Sequence, residues 1–356
     1  MTEAKIRALL LFSGGLDSLL AAEILREQNV EVEGICFTSN FFTCAKAEEE
    51  ARKIGIKLHT VNISKQILDL VKKPPHGHGK NLNPCIDCHG LMIKTAGEFL
   101  KGKKNKQGFD FLASGEVLGQ RPFSQNSQTL RTVSKIGKVS ILRPLTAKNL
   151  DPTEMEEKGL VEREKLGKIS GRGREEQIKW AQNLGIKNYP SPAGGCLLTD
   201  GQFCLRLKEM IDNWPGCSVE DAELLKFGRI FWMRQKKNKI LVVVGRDKED
   251  NKNLEKLAKR GDIVLELKKE TGPLTLIRGL SSFPVFVWRS ISRPFSDYIC
   301  SDFIQKIPKN LKKEDLKLEE DKTEKNIIEG AGILTGWYSP KVRGKEVTLE
   351  VKKTNN

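Results

Sequence analysis

Leu9-Leu10-Leu11-Phe12-Ser13-Gly14-Gly15-Leu16-Asp17-Ser18 decides the fold. An apolar run, Arg7 to Phe12, stops at two glycines. It is followed by Leu19, Leu20, Ala21, Ala22, Ile24 and Leu25, which recur at helical spacing. That pattern predicts a buried strand, a tight turn and a helix opening at the turn. A helix start offers unpaired N–H groups and the positive end of a dipole, so it suits phosphate. Gly14 and Gly15 let a phosphate approach the backbone, and Ser13 and Ser18 add hydroxyls. Asp17 is the odd member, because a carboxylate beside phosphates repels them unless Mg²⁺ bridges the two.

The loop lacks the lysine and the length of a Walker A sequence, and the G-x-G-x-x-G dinucleotide fingerprint is absent. The residues Ser13-Gly14-Gly15-Leu16-Asp17-Ser18 resemble the S-G-G-x-D-S loop of the PP-loop ATP pyrophosphatases. That resemblance implies ATP held by Ser13, Gly14, Gly15, Asp17 and Ser18, cut between its α- and β-phosphates, with AMP placed on a substrate oxygen.

Working outward, Val30 to Phe37 and Lys57 to Ile63 read as further strands. Helices Cys44–Ile54, with Gly55 as C-cap, and Lys65–Lys72 separate them. The alternation predicts an α/β fold, a doubly wound parallel sheet with ligands at the carboxyl ends of its strands. Asn83-Pro84-Cys85-Ile86-Asp87-Cys88-His89 then precedes a helix through Leu100. Two sulfurs at a positive helix end favour thiolate. His76, His78 and His89 stand near enough in sequence to join a metal site. Phe109 to Ser114 is a strand, and Asp151-Pro152-Thr153-Glu154 starts a helix, with Asp151 as its cap. Tyr189-Pro190-Ser191-Pro192-Ala193-Gly194-Gly195-Cys196 is a constrained turn presenting one cysteine.

The chain has 356 residues, enough for two domains, with 38% hydrophobic and 30% charged residues, which excludes a disordered composition. No apolar run reaches the roughly 20 residues of a membrane span, and the first strand follows Met1 without a signal peptide, so a cytoplasmic, non-membrane protein is expected. Eight cysteines in such a setting read as thiols, ligands or catalysts rather than disulfides. Cys36, Cys204, Cys217 and Cys300 sit among apolar neighbours and read as inert. Net charge is +15. Residues 101–148 hold ten Lys and Arg against two acids, and Arg121, Arg172 and Arg174 suit phosphate contact.

Cys85, Cys88 and Cys196 form a two-plus-one set with Asp17 as a further catalytic candidate. Three thiolates admit a persulfide relay with a resolving cysteine, or a [4Fe–4S] cluster with one open iron. A zinc site is the third option and would want a histidine as fourth ligand. The PP-loop with N-P-C-x-x-C downstream and a distal cysteine, over residues 5–200, resembles the tRNA thiouridine synthetases, both 4-thiouridine synthases and 2-thiouridylases. That resemblance implies ATP-dependent replacement of a uridine carbonyl oxygen by sulfur in tRNA, with ATP, Mg²⁺ and a [4Fe–4S] cluster as cofactors and sulfide or a persulfide carrier as sulfur donor. An amide- or nitrile-forming ligase, and a non-catalytic RNA-binding quality-control factor, are the competing readings.

After a helical linker, 201–225, strands around a basic turn carry Lys236, Lys237 and Arg246. Residues 226–270 hold fourteen Lys and Arg against seven acids. Val244-Gly245-Arg246-Asp247, Asn251, Gly261-Asp262 and Gly272-Pro273 resemble an NFACT-R type RNA-binding module over 226–305, a smaller α+β domain, which implies RNA contact through these cations. Residues 306–356 read as a charged linker with strand-like alternation from Gly330 to Val351.

Overall fold

The computed structural model describes residues 5–101, 108–121, 124–186, 189, 195–235, 237–280, 298–306 and 324–354. The chain divides into two units, Met1–Cys204 and Leu205–Asn356.

The first unit is a parallel five-stranded sheet: β1 (Arg7–Leu11), β2 (Glu31–Thr38), β3 (Leu58–Asn62), β4 (Phe111–Ser114) and β5 (Ile141–Leu142), in the order β3-β2-β1-β4-β5. Its helices are α1 (Leu16–Arg26), α2 (Ala45–Ile54), α3 (Ser64–Lys72), α4 (Cys85–Lys101), α5 (Ser127–Gly137), the single turn α6 (Glu154–Glu157) and α7 (Glu175–Asn183). The predicted α/β class is observed. Ala8, Leu9 and Leu10 of β1 are fully buried, as a central strand covered on both faces requires. Leu16, Leu19, Leu20, Ile24 and Leu25 of α1 supply the layer above them.

The order of strands reverses between β1 and β4, so loops leaving these two strands diverge and open a crevice. The glycine loop leaves β1 there. Because α4 returns the chain to the start of β4, its own N-terminus also lies at the carboxyl edge of the sheet. Two local readings need correction. The cap of α6 is Thr153, in a capping box with Glu156, and not Asp151. The Cys85-Ile86-Asp87-Cys88 motif is the first turn of α4, not a lead-in to it.

The second unit begins within α8 (Gly201–Asn213), followed by α9 (Val219–Leu224) and α10 (Lys248–Leu257). It is an antiparallel sheet of β6 (Arg229–Gln235), β7 (Asn238–Val244), β8 (Ile263–Leu267), β9 (Thr275–Arg278), β10 (Tyr298–Lys306) and β11 (Glu346–Thr354), in the order β10-β11-β8-β9-β7-β6. Helix α11 (Glu324–Trp337) lays Ile327, Ile328, Ala331 and Leu334 on its core. The alternation read from Gly330 is therefore helical up to Trp337, and only Glu346–Thr354 is strand. The reason is period: Ile327, Ile328, Ala331 and Leu334 recur every three to four residues. Residues 201–225 do not simply link. Asp221 of α9 pairs with buried Arg278 of β9, which also holds Asp262.

Candidate functional site

Gly14 has φ +71°, and a Cβ there would stand 2.7 Å from the Lys46 carbonyl and 2.9 Å from Ala47 N at the start of α2. Only glycine fits that approach. Gly15 is the extended N-cap of α1, with no side-chain cap on the helix. Ser13 is exposed, while the buried Ser18 hydroxyl donates to the Gly15 carbonyl at 2.8 Å and shapes the turn. The N-terminus of α1 thus remains open for an anion.

Asp17 lies in the first turn of α1 and accepts from Gln120 Nε2 at 3.0 Å through Oδ2. Its Oδ1 is buried without a partner, as are Gln120 Oε1 and Arg174 Nε. Burial raises the Asp17 pKa, and the Gln120 hydrogen bond and the charges of Arg174 and Arg121 pull against that rise. A buried carboxylate oxygen left unpaired costs free energy unless a cation completes it. The residues therefore fit Mg²⁺. Gly115, just after β4, is the second tight approach: a Cβ there would meet the Asp17 carbonyl at 2.6 Å and Ser18 N at 2.8 Å. Neither Gln120 nor Gly115 is legible as a site residue, because both reach the loop from about a hundred residues away.

Cys85, Cys88 and Cys196 are brought together. Burial raises the pKa of Cys88, and the charges of Cys196 and Cys85 raise it further. Cys196 is pushed up to about 11, mainly by burial and then by Cys85 and Cys204. Cys85 is raised by burial and pulled back by the Arg121 charge. The expected helix-end thiolates are thus not found: loss of solvent and mutual repulsion outweigh the dipole. Such a donor set fits a cationic centre that would neutralise three neighbouring thiolates. Asn81 Nδ2 donates to the Thr199 carbonyl at 2.8 Å, and Leu197 N donates to the Phe41 carbonyl at 2.9 Å. These bonds hold the Cys196 segment to the loops around the crevice. The proline turn before Gly195 lies outside the described residues, apart from Tyr189.

Among the described residues, no three His, Cys, Asp or Glu side chains converge on one metal position. The cysteine trio is included in that, so neither a zinc position nor a cluster position is preformed among the described residues, and the histidines are engaged elsewhere. His76 Nδ1 pairs with Asp87 at 2.6 Å, and His78 Nε2 meets the Val71 carbonyl at 3.0 Å. His89 Nδ1 lies 3.0 Å from Glu116. Glu116 is buried and also accepts from Arg143 Nε at 2.9 Å. Burial works against its charge, yet bonds from His89 and Arg143 bring its pKa down to about 2. The sequence hid this brace, for Glu116 reads only as one of two acids in a basic stretch.

Of the cations expected at RNA, Arg121 and Arg172 are exposed, and Arg174 is half-buried. Lys237 is exposed, and Lys236 lies outside the described residues. Arg246 is spent on its neighbour: Nε and Nη2 donate to Asp250 at 2.6 and 3.0 Å. The same carboxylate accepts from Gly228 N. Arg246 thus braces the second unit while its side chain stays exposed. Among the described residues no helix is long and apolar enough to cross a membrane.

Residues 4–156 match the family described as thiamine biosynthesis protein (ThiI). A tRNA-specific 2-thiouridylase, MnmA, of Psychromonas ingrahamii is 26% identical over 237 residues, 60% of this chain and 59% of that protein. A probable tRNA sulfurtransferase of Alkaliphilus metalliredigens is 31% identical over 150 residues, 40% of this chain and 36% of that one. The chain thus spans between a third and three-fifths of the length of these relatives. A solved structure, the U34-tRNA thiolase NcsA from Methanococcus maripaludis with its [4Fe–4S] cluster, is 20% identical, covers 62% of this chain and 70% of its own, and gives a TM-score of 0.30. Residues 4–156, less than half of the chain, are thus similar to the ThiI family, and all five strands of the parallel sheet with its glycine loop fall within that stretch.

Proposed function

We propose that this chain is an ATP-dependent tRNA sulfurtransferase that adenylates a uridine carbonyl oxygen and replaces it with sulfur. One observation carries the reading. The charge of Arg121 acts both on Asp17 of the glycine loop and on Cys85 of the thiol trio. That shared neighbour supports a reading in which nucleotide and sulfur chemistry use one crevice at the carboxyl edge of the sheet.

A uridine oxygen leaves poorly, and AMP transfer makes it a leaving group. The Ser13–Ser18 loop and the start of α1 hold the phosphates. Asp17, oriented by Gln120, would hold Mg²⁺, which would supply positive charge beside the phosphates. Arg174 and Arg121 oppose negative charge near Asp17, and Arg121 and Arg172 offer exposed contacts to RNA phosphates. Exclusion of water around buried Cys88 protects the adenylated base from hydrolysis. Cys85, Cys88 and Cys196 would hold a [4Fe–4S] cluster, whose open iron supplies a place for a sulfur ligand. Sulfide or a persulfide carrier is the donor, and the second unit adds RNA affinity in the manner of its NFACT-R resemblance.

The test is anaerobic purification with an iron and zinc count, followed by nucleoside mass spectrometry of tRNA incubated with ATP and sulfide. About four iron atoms per chain with a thiolated uridine is expected. Thiolation without iron would mean that sulfide displaces AMP directly, with no cluster. Zinc without thiolation would overturn the reading in favour of a ligase.

A further inference from the structure

From Val117 to Leu150 the chain has no acid, yet it holds Arg121, Arg131, Lys135, Lys138, Arg143 and Lys148. The fold sorts these cations by use. Arg143 is buried against Glu116, and Lys148 reaches Glu164 at 3.1 Å. Arg121, Arg131, Lys135 and Lys138 stay exposed. Gln128, Arg131, Lys135 and Lys138 recur at steps of three, four and three, so they line one face of α5 and the turn that ends it. The opposite face, Thr129, Leu130, Val133 and Gly137, is buried. It is locked to α4: a Cβ on Gly90 would run into the Ile136 side chain, and one on Gly137 into Ile93. Contact that close leaves the helix pair no slack, and the first turn of α4 carries Cys85 and Cys88. Arg131 and Lys135 also line a cleft of about 320 Å³ between α5 and the edge strand β5. Of the acids at that cleft, Glu156 is held by Arg163, and Asp151 meets Arg131 at 3.6 Å with both side chains largely in solvent, a pair that contributes little.

We propose that this exposed face of α5 binds the sugar–phosphate backbone of the RNA substrate and keeps it in register with the cysteines of α4. The inference rests on the reading of tRNA as the substrate. Arg131 and Lys138 lie about 10 Å apart along the helix axis, a spacing at which cations on a rigid rod meet separate charges of a polyanion. An acidic protein partner would look for an apolar anchor at the centre of the patch, and Gln128, Arg131, Lys135 and Lys138 offer none. The surface suits phosphate, which fixes orientation without reading sequence. Arg121 stands one turn before α5, its carbonyl accepting from Ser124 N and Gln125 N. It continues the charged line toward Asp17, whose carboxylate is held by the adjacent Gln120. The α5 cations act by binding and placement, and no bond is made or broken at them.

The experiment uses the full chain, with tRNA binding followed by fluorescence anisotropy across a salt series and ATP affinity measured beside it. The combined variant Arg131→Gln, Lys135→Gln, Lys138→Gln keeps good helix formers and removes the three charges. We expect tRNA to bind at least about tenfold more weakly at roughly 0.15 M salt, and the slope of log affinity against log salt to shrink by about 2 to 3. ATP affinity should change less than twofold. The control variant Lys53→Gln, Lys158→Gln, Lys165→Gln removes the same charge from exposed lysines of the same unit, each paired with an acid, and should weaken tRNA binding less than threefold. Equal losses in the two variants would mean that net charge alone attracts RNA and would overturn the inference. Unchanged tRNA affinity and salt slope in the α5 variant would overturn it too. Should the combined variant lose its melting transition, Lys135→Glu alone carries the test, with at least threefold weaker tRNA binding expected and parental affinity overturning the contact. A parent chain that binds no tRNA at any salt would sink the RNA reading itself, a result distinct from each of these.

Discussion

Asp17 holds its carboxylate where solvent is scarce, with one oxygen on Gln120 and the other unpaired. A fold gains nothing from that oxygen, which is why we assign it to the proposed cation and nucleotide. Asp17→Asn keeps the shape and the Gln120 neighbour but removes the charge. We expect AMP formation, followed chromatographically, to fall at least about 100-fold while the melting temperature holds or rises. Near-normal AMP formation would remove Asp17 from the mechanism. Glu116 is the opposite case, a buried charge fully committed to the fold. Its pKa stands at about 2 against an ordinary 4.5. A depressed carboxyl stabilises the fold above the unfolded value and loses that stabilisation as pH falls through 4.5 towards 2. The shift corresponds to on the order of 3 kcal/mol. Glu116→Gln leaves Arg143 buried without a counter-charge, so urea midpoints of variant and parent should differ widely at pH 6, by less at pH 3, and converge only near pH 2. A gap that stays constant over that range would show that the charge is not what holds the site.

At the scale of elements, Gly14 and Gly115 meet backbone rather than flexible side chains, and backbone cannot yield. Gly115 has an ordinary φ, yet its Cβ would stand 2.6 Å from the Asp17 carbonyl; Gly55 has φ +68° with nothing within 4 Å. The usual rule ranks Gly55→Ala as the worse change, at roughly 1 to 2 kcal/mol for a left-handed alanine. Contact reverses the ranking. We expect Gly115→Ala to lose more thermal stability than Gly55→Ala and to lose AMP formation, which Gly55→Ala retains. The comparison also shows what sequence could and could not convey. The strand, glycine turn and helix at residues 7–26 are specified within twenty residues by apolar period, so they were legible. The partners of that loop are Gly115, Gln120 and the start of α2, and they reach it by folding of the sheet. No local pattern encodes that approach. Cys85-Ile86-Asp87-Cys88 and the isolated Cys196 single out three cysteines in the sequence, but their ionisation is not legible there. The helix end seen in sequence favours thiolate, and the burial that overrides it is a tertiary property.

At the scale of the whole molecule, two units with separate cores make separable predictions. The end of the chain reads as a charged tail because acids and lysines crowd residues 308–327 and dilute the apolar signal of α11. Yet β11 is interior to the second sheet, pairing β10 through Tyr298–Thr354 to Lys306–Glu346 and β8 through Leu267–Leu349 to Ile263–Lys353. Leu349 and Val351 are fully buried, and Ile327, Ile328, Ala331 and Leu334 of α11 belong to the same core as Val242, Leu265 and Ile277. A chain ending at residue 306 therefore loses an inner strand and the helix over it. Each large buried aliphatic removed costs about 2 to 5 kcal/mol, so a few of them exceed the roughly 5 to 15 kcal/mol by which a domain is stable. Calorimetry of the full chain should show a transition that the shortened chain lacks, and limited proteolysis of the shortened chain should degrade residues beyond about 205. The first unit keeps every strand of its sheet, so its ATP affinity should change less than twofold, whereas tRNA affinity should fall if the second unit supplies RNA contacts. A shortened chain that retains both transitions would mean that β11 is dispensable to the sheet, contrary to its register. One that loses ATP binding as well would mean that the two cores stand or fall together.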